Sequence, residues 1–85
     1  MPHVKIYSSD FCPYCTRAKA LLRERGVHDF EEIVVDGRPE VRAQMTQITG
    51  RTSVPQIFVG DTHVGGCDDL HALDGRGGLL PLLQA

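Results

Sequence analysis

Apolar residues follow two different spacings along the chain, and each spacing predicts one type of element. Short runs rich in β-branched and aromatic residues indicate strands, whereas apolar positions three and four residues apart indicate helices. The predicted strands are Val4–Tyr7, Phe30–Val35, Pro55–Val59 and Thr62–Val64. The predicted helices run from about Pro13 to Arg25, from Pro39 up to Gly50, from Asp68 through Leu73, and from Leu79 to Leu83.

These elements follow the order β-α-β-α-β-β-α, with a short last helix after an interruption at residues 74–78. Glu31 and Glu32 in the second strand are typical of a strand at the edge of a sheet. A β-α-β unit followed by a hairpin and a helix packs as a mixed sheet with helices on its faces. We therefore predict an α/β fold with a four-stranded mixed sheet, formed as one domain over residues 1–85.

Composition narrows the classes of partner. Nine basic and eleven acidic residues give a net charge of −2 with the signs interspersed, which argues against a nucleic-acid footprint. No apolar run approaches the roughly 18 residues that a membrane span needs, and the first ten residues lack the apolar core of a secretory signal. We therefore expect no nucleic-acid or membrane partner and a cytoplasmic protein. Three cysteines, an odd number, do not suggest a disulfide framework.

The chemistry of the chain is concentrated in Cys12-Pro13-Tyr14-Cys15, which lies between a strand and the start of a helix. Unpaired N–H groups and the positive end of the helix dipole stabilise a thiolate at the first position, so Cys12 is the expected nucleophile. Cys15 lies one turn into the helix and is the expected resolving thiol. Pro13 stiffens the turn, and Tyr14 places a phenol ring at the rim.

A zinc site is an alternative for the cysteine pair. His63, Cys67 and His71 follow at four-residue spacing and offer further ligands. Structural zinc sites, however, hold their paired cysteines in a loop rather than at the start of an amphipathic helix. A cysteine pair of this spacing beside a β-α-β pattern favours redox exchange, and we expect no metal site.

Three separated motifs, in order, resemble those of glutaredoxins, specifically the small dithiol bacterial type. They are Phe11-Cys12-Pro13-Tyr14-Cys15, the segment Thr52-Ser53-Val54-Pro55-Gln56-Ile57-Phe58-Val59, and Gly65-Gly66-Cys67-Asp68-Asp69-Leu70. The resemblance covers essentially the whole chain. It implies a thioredoxin-like fold, a cis peptide bond between Val54 and Pro55, and reduction of disulfides with glutathione as co-substrate and no tightly bound cofactor.

The resemblance also implies how glutathione binds. Its cysteinyl part pairs with the backbone of Val54 as a short added strand, and Gly65-Gly66 lets a ligand or another backbone approach closely or simply forms a bend. One of Asp68 and Asp69 holds the ammonium and the other caps the helix, and Arg42 is expected to hold the glycine carboxylate. The full set of expected glutathione contacts is Tyr14, Arg42, Ser53, Val54, Pro55, Gly66, Cys67, Asp68 and Asp69.

Ser9 departs from the pattern, because many members of the family carry a lysine three residues before the first cysteine. Thiolate stabilisation here must therefore depend on the helix terminus. We expect a monomer that reduces glutathionylated proteins with Cys12 alone and protein disulfides with Cys12 and Cys15. Two alternatives remain: a redoxin that takes electrons from thioredoxin reductase, and a carrier in which Cys12 and glutathione bridge an iron–sulfur cluster between two chains.

Overall fold

A four-stranded mixed sheet forms the centre of the protein in a computed structural model that describes all 85 residues. The strands are β1 (Val4–Ser8), β2 (Glu31–Val34), β3 (Gln56–Val59) and β4 (Thr62–Gly65). Their order in the sheet is β2-β1-β3-β4, with β1 parallel to β2 and antiparallel to β3, and β3 antiparallel to β4. The predicted mixed sheet is confirmed, and the acidic strand β2 lies at its edge as expected.

Four helices cover the two faces of this sheet. They are α1 (Pro13–Glu24), α2 (Pro39–Thr49), α3 (Cys67–Gly75) and α4 (Leu79–Gln84). Side chains alternate along β1, so Val4 and Ile6 face α1, α3 and α4, whereas Tyr7 faces α2. The larger apolar cluster of twelve buried residues lies on the first face, and a smaller one around Val41 and Met45 lies on the second.

Two predicted boundaries differ from the structure for identifiable reasons. Strand β3 begins at Gln56 rather than Pro55, because proline has no N–H to donate to a neighbouring strand. Helix α3 continues through Asp74 and Gly75, where an interruption was predicted. Asp74 is held in the helix by two hydrogen bonds from the Arg25 guanidinium, at 2.7 and 2.8 Å, and the chain turns only at Gly77.

None of the four helices has the length and apolar character needed to cross a membrane.

The fold brings three segments together at one end of the sheet. These are the start of α1, the loop before β3, and the start of α3.

Candidate active site

Cys12 is the residue that caps the N-terminus of α1. Its backbone is extended, Pro13 occupies the first helical position, and the Cys12 Sγ accepts a hydrogen bond from the backbone N–H of Cys15 at 3.1 Å. That contact, together with the positive end of the helix dipole, stabilises negative charge on the sulfur. The side chain is partly exposed, so a substrate sulfur can reach it.

Cys15 occupies the opposite environment. Its side chain is completely buried, and burial raises the pKa of the Cys15 thiol to about 12, with a further raising contribution from the neighbouring Cys12. A backbone hydrogen bond at Ser9 and the charge of Lys19 act in the other direction. The two thiols of the pair are thus chemically distinct. The Cys12 thiol is accessible from solvent, whereas burial keeps the Cys15 thiol protonated by raising its pKa.

The loop before β3 forms the wall beside Cys12. The peptide bond between Val54 and Pro55 is cis, as expected, and the carbonyl oxygen of Val54 lies 3.9 Å from Cys12 Sγ. Neither backbone group of Val54 takes part in a backbone–backbone hydrogen bond. An extended ligand therefore finds an unpaired strand-like edge next to the sulfur.

Side chains behind this loop hold it in place. Gln56 is fully buried; its amide donates to the carbonyl of Ser53 at 3.1 Å and its oxygen contacts His63 Nε2 at 2.8 Å. On the other side, the Arg42 guanidinium donates to the carbonyl of Thr52 at 2.8 Å. The loop is thus anchored from both flanks.

The N-terminus of α3 forms the third wall. Asp69 accepts a hydrogen bond from the backbone N–H of Gly66 at 2.9 Å and an ion pair from Arg51 at 2.6 Å. Both contacts hold the pKa of Asp69 below its usual range, the Arg51 contact more strongly. Gly65 has a φ of +119°, and a Cβ there would lie 2.7 Å from the Asp69 Cγ, so the close approach requires glycine. Asp69 is therefore the capping residue, and Asp68 is left exposed.

These walls enclose an open cavity of about 240 Å³. Its lining residues are Tyr14, Arg51, Ser53, Val54, Pro55, Gly66, Cys67, Asp68 and Asp69. Eight of these nine were expected from the sequence. Cys67 is almost fully buried in this wall, and burial raises the pKa of its thiol.

The ninth lining residue, Arg51, was not among the expected contacts, whereas the expected Arg42 does not line the cavity. Arg42 points its guanidinium at the loop carbonyl of Thr52 instead. Helical spacing alone could not distinguish these two cations. The available signal for Arg51 was its position directly after Gly50, where α2 ends and the loop toward Pro55 begins.

The residues considered as zinc ligands do not form a metal-binding group with the cysteine pair. His63 contacts Gln56, while Cys67 Sγ lies 3.5 Å from Nδ1 of His71 on the next turn of α3. No group of three or more His, Cys, Asp or Glu side chains is placed to hold a metal ion.

Comparison with known proteins decides the family. The family model described as glutaredoxin matches residues 4–64. The chain belongs to the glutaredoxin family. A glutaredoxin of Pseudomonas aeruginosa is 59% identical over 85 residues, covering all of both chains. Glutaredoxin 3 of Escherichia coli (strain K12) is 56% identical over 84 residues, covering 99% of this chain and all of that one.

Solved glutaredoxin structures share the fold. A solution structure of glutaredoxin from Brucella melitensis superposes with a TM-score of 0.86 at 53% identity, covering 98% of this chain and 89% of that one. A buckwheat glutaredoxin–glutathione complex gives a TM-score of 0.89 at 31% identity, with 98% and 77% covered. The expected family and thioredoxin-like fold are confirmed. As a glutaredoxin, the chain is a thiol–disulfide oxidoreductase.

Proposed function

We propose that this glutaredoxin is a glutathione-dependent reductase of protein–glutathione mixed disulfides and of protein disulfides. The observation that carries the proposal is the placement of Cys12, a partly exposed thiol that caps α1, 3.9 Å from the carbonyl oxygen of Val54. Val54 lines a cavity that is bounded by its own unpaired backbone edge and by the N-terminus of α3. The buckwheat relative was solved as a complex with glutathione, which supports the same choice of co-substrate here.

Each part of the tripeptide matches one wall of the cavity. The cysteinyl backbone pairs with the N–H and C=O of Val54, which brings its sulfur toward Cys12. The γ-glutamyl carboxylate accepts from free N–H groups at the start of α3, and the exposed carboxylate of Asp68 takes the adjacent ammonium. We assign Asp68 to this role because Asp69 is already engaged by Gly66 and Arg51.

The glycine carboxylate needs a cation. The sequence indicated Arg42, and the structure adds Arg51, which lines the cavity directly. We propose that Arg51 contacts the bound tripeptide. Arg42 contributes by holding the carbonyl of Thr52, and therefore the loop, in the position that ligand binding requires. The ring of Tyr14, half exposed with the Arg17 guanidinium 5.9 Å from its centre, covers the open side.

In the monothiol mode the Cys12 thiolate attacks the glutathione sulfur of a mixed disulfide. The bond between Cys12 and glutathione forms, the bond from glutathione to the substrate sulfur breaks, and the substrate leaves as a thiolate that takes up a proton. A second glutathione then attacks the adduct. It restores the Cys12 thiolate and departs as oxidised glutathione.

In the dithiol mode Cys12 attacks a protein disulfide, and Cys15 resolves the adduct. The buried thiol loses its proton, attacks Cys12 Sγ, and displaces the second substrate sulfur, so the substrate gains two electrons and the pair is left oxidised. Two glutathione molecules then reduce the pair. The burial of Cys15 suits this order, because a thiol with a pKa of about 12 does not compete with Cys12 for the substrate.

The division of roles predicts an asymmetric mutant pattern. Cys12→Ser should abolish both activities. Cys15→Ser should keep the release of glutathione from a glutathionylated peptide and lose the reduction of a protein disulfide such as that of insulin. Equal loss of both activities in Cys15→Ser would show that the assigned roles are wrong.

The glutathione requirement is tested by supplying electrons in two ways. One coupled assay contains glutathione, glutathione reductase and NADPH, and the other contains thioredoxin reductase and NADPH. We expect turnover in the first and none above background in the second. Turnover with thioredoxin reductase alone would instead assign the chain to the alternative redoxin class.

We further propose that the protein acts as a monomer in the cytoplasm, on glutathionylated or disulfide-containing proteins. Size-exclusion chromatography with light scattering tests the monomer. The absorbance spectrum of freshly purified protein tests the cluster-bridged dimer, because an iron–sulfur cluster absorbs visible light.

A further inference from the structure

A carboxylate and an ammonium are tied together close to the buried thiol. Glu32 of β2 points to the face of the sheet that α1 covers, and its Oε2 accepts two hydrogen bonds. One comes from the hydroxyl of Ser8, which is fully buried, at 2.6 Å, and one from the Lys19 ammonium at 2.8 Å. The side chain of Lys19 is only 20% exposed, so this lysine is held rather than free in solvent.

The position of Lys19 on α1 places its charge near the resolving thiol. Lys19 follows Cys15 by four residues, so both lie on the same side of the helix one turn apart. Ser8 ends β1, and the chain continues from it through a short loop into α1, the helix that carries both Cys15 and Lys19. Glu32 and Ser8 therefore hold Lys19 beside the segment that buries Cys15.

We propose that the Lys19–Glu32 pair is a positioning device for the resolving step, in which the held ammonium stabilises the Cys15 thiolate as it closes the disulfide onto Cys12. The proposal rests on the proposed roles of Cys12 and Cys15. It concerns only the dithiol mode, because Cys15 takes no part in the monothiol reaction.

The charges close to Cys15 change when Cys12 forms a mixed disulfide, and the change increases the relative influence of Lys19. In the free protein, burial and Cys12 raise the pKa of Cys15, and Lys19 lowers it. When Cys12 enters a mixed disulfide, it carries no negative charge. The Lys19 ammonium still acts on Cys15 at that stage. Glu32 moderates the field of Lys19, and Arg23 acts in turn on Glu32.

The closing step balances without a further reactant. The proton of Cys15 is lost, the Cys15–Cys12 S–S bond forms, and the bond from Cys12 to the substrate sulfur breaks with its electron pair. The departing thiolate takes up a proton. Stabilising the Cys15 thiolate therefore increases the rate of this step, and only of this step.

The rate of closure can be measured directly. Reduced protein is mixed with excess 2-hydroxyethyl disulfide, quenched in acid at intervals, and analysed by mass spectrometry across a range of pH. The Cys12 adduct appears as added mass, and closure appears as its loss. This substrate contains no glutathione, so the measurement does not depend on the glutathione requirement.

Opposite shifts are expected for the two members of the pair. Lys19→Met should shift the pH profile of closure toward alkaline pH. Each unit by which the pKa of Cys15 rises lowers its thiolate fraction tenfold but makes the thiolate more nucleophilic. The rate of closure therefore falls by about three- to fourfold per unit. Glu32→Gln keeps an oxygen for Lys19 and removes the negative charge, so its profile should shift toward acid pH and closure should accelerate.

Two control variants distinguish an effect of the Lys19 charge from a general effect on folding. Lys19→Arg should retain the wild-type profile, because the charge remains. Lys5→Met removes the same charge on the opposite face of the sheet, where Lys5 lies over the rings of Tyr7 and Phe58, and should leave closure unchanged. Adduct formation at Cys12 should have the same rate in all four variants.

The result that overturns the proposal is a shift of the same sign in Lys19→Met and Glu32→Gln, or no shift in either, since a merely structural pair would not give opposite signs. Failure of the underlying roles looks different. In that case the wild-type adduct does not close, or the adduct of Cys15→Ser is lost as fast as that of the wild type.

Discussion

Gly65→Ala provides a sharp test of how the third wall of the cavity is built. Gly65 ends β4 with a φ of +119°, and an added Cβ would lie 2.7 Å from Cγ and 2.8 Å from Cβ of Asp69. Asp69 caps the backbone N–H of Gly66 and pairs with Arg51. The substitution therefore combines backbone strain with displacement of the side chain that organises the start of α3.

The magnitude follows from these parts. A non-glycine residue in this region of φ costs about 1–3 kcal/mol, loss of a helix cap costs about 1 kcal/mol, and an exposed ion pair contributes less than about 1 kcal/mol. We expect a loss of about 2–5 kcal/mol in the free energy of unfolding. For a chain of this size, each kcal/mol lowers Tm by about 4–8 °C. Urea unfolding followed by circular dichroism measures the loss.

Two comparisons isolate the cause. Gly37 has a φ of +67° with nothing within 4 Å of an added Cβ, so Gly37→Ala reports strain alone, about 1–2 kcal/mol. Introducing Gly65→Ala into an Asp69→Ala background should cost less than in the wild type, because the capping carboxylate is already absent, and only the contact with Cβ of residue 69 and the backbone strain remain. Equal costs of Gly65→Ala in both backgrounds would refute the reasoning.

Two further outcomes follow from the charged residues. The pKa values of three carboxyl groups, Asp69, Asp74 and Glu32, are lowered by their partners. The stability that these groups contribute is therefore present above pH about 4–5 and is lost as the pH falls through the lowered pKa values. Asp74→Asn should flatten the acid limb of a curve of stability against pH, and an unchanged slope would contradict this. Asp68→Asn should raise KM for a glutathionylated peptide with stability unchanged, whereas Asp69→Asn should lower stability as well. Equal stability of the two variants would contradict the assignment of the cap.

Most of the fold could be read from local patterns. Helix α1 follows from Pro13 and the spacing of Ala18, Leu21 and Leu22, because helical hydrogen bonds connect residues four apart and the relevant positions are neighbours in sequence. The extent of α3 could not be read in this way. Asp74 and Gly75 are poor helix formers, and the partner that holds Asp74 is Arg25, 49 residues earlier.

The candidate site also contains residues that local sequence identified and residues that only the folded chain could identify. Cys12 and Cys15 were identifiable as candidates because the reactivity expected of them depends on one helix terminus. The choice between Asp68 and Asp69, and between Arg42 and Arg51, depended on contacts between segments that only folding brings together. Glu32 showed only the character of an edge strand in the sequence. Its link to Lys19 required β2 and α1 to meet.

The sequence by itself determined the order of the elements, the sheet edge at β2 and the candidate cysteine pair at the start of α1, because each depends on interactions within a few residues. The tertiary structure decided which carboxylate caps α3, which arginine lines the cavity, and which carboxylate holds Lys19. Those outcomes depend on hydrogen bonds and ion pairs of about 3 Å whose partners meet only in the folded chain, such as Arg51 with Asp69 and Lys19 with Glu32. The strength of such contacts falls off steeply beyond that range.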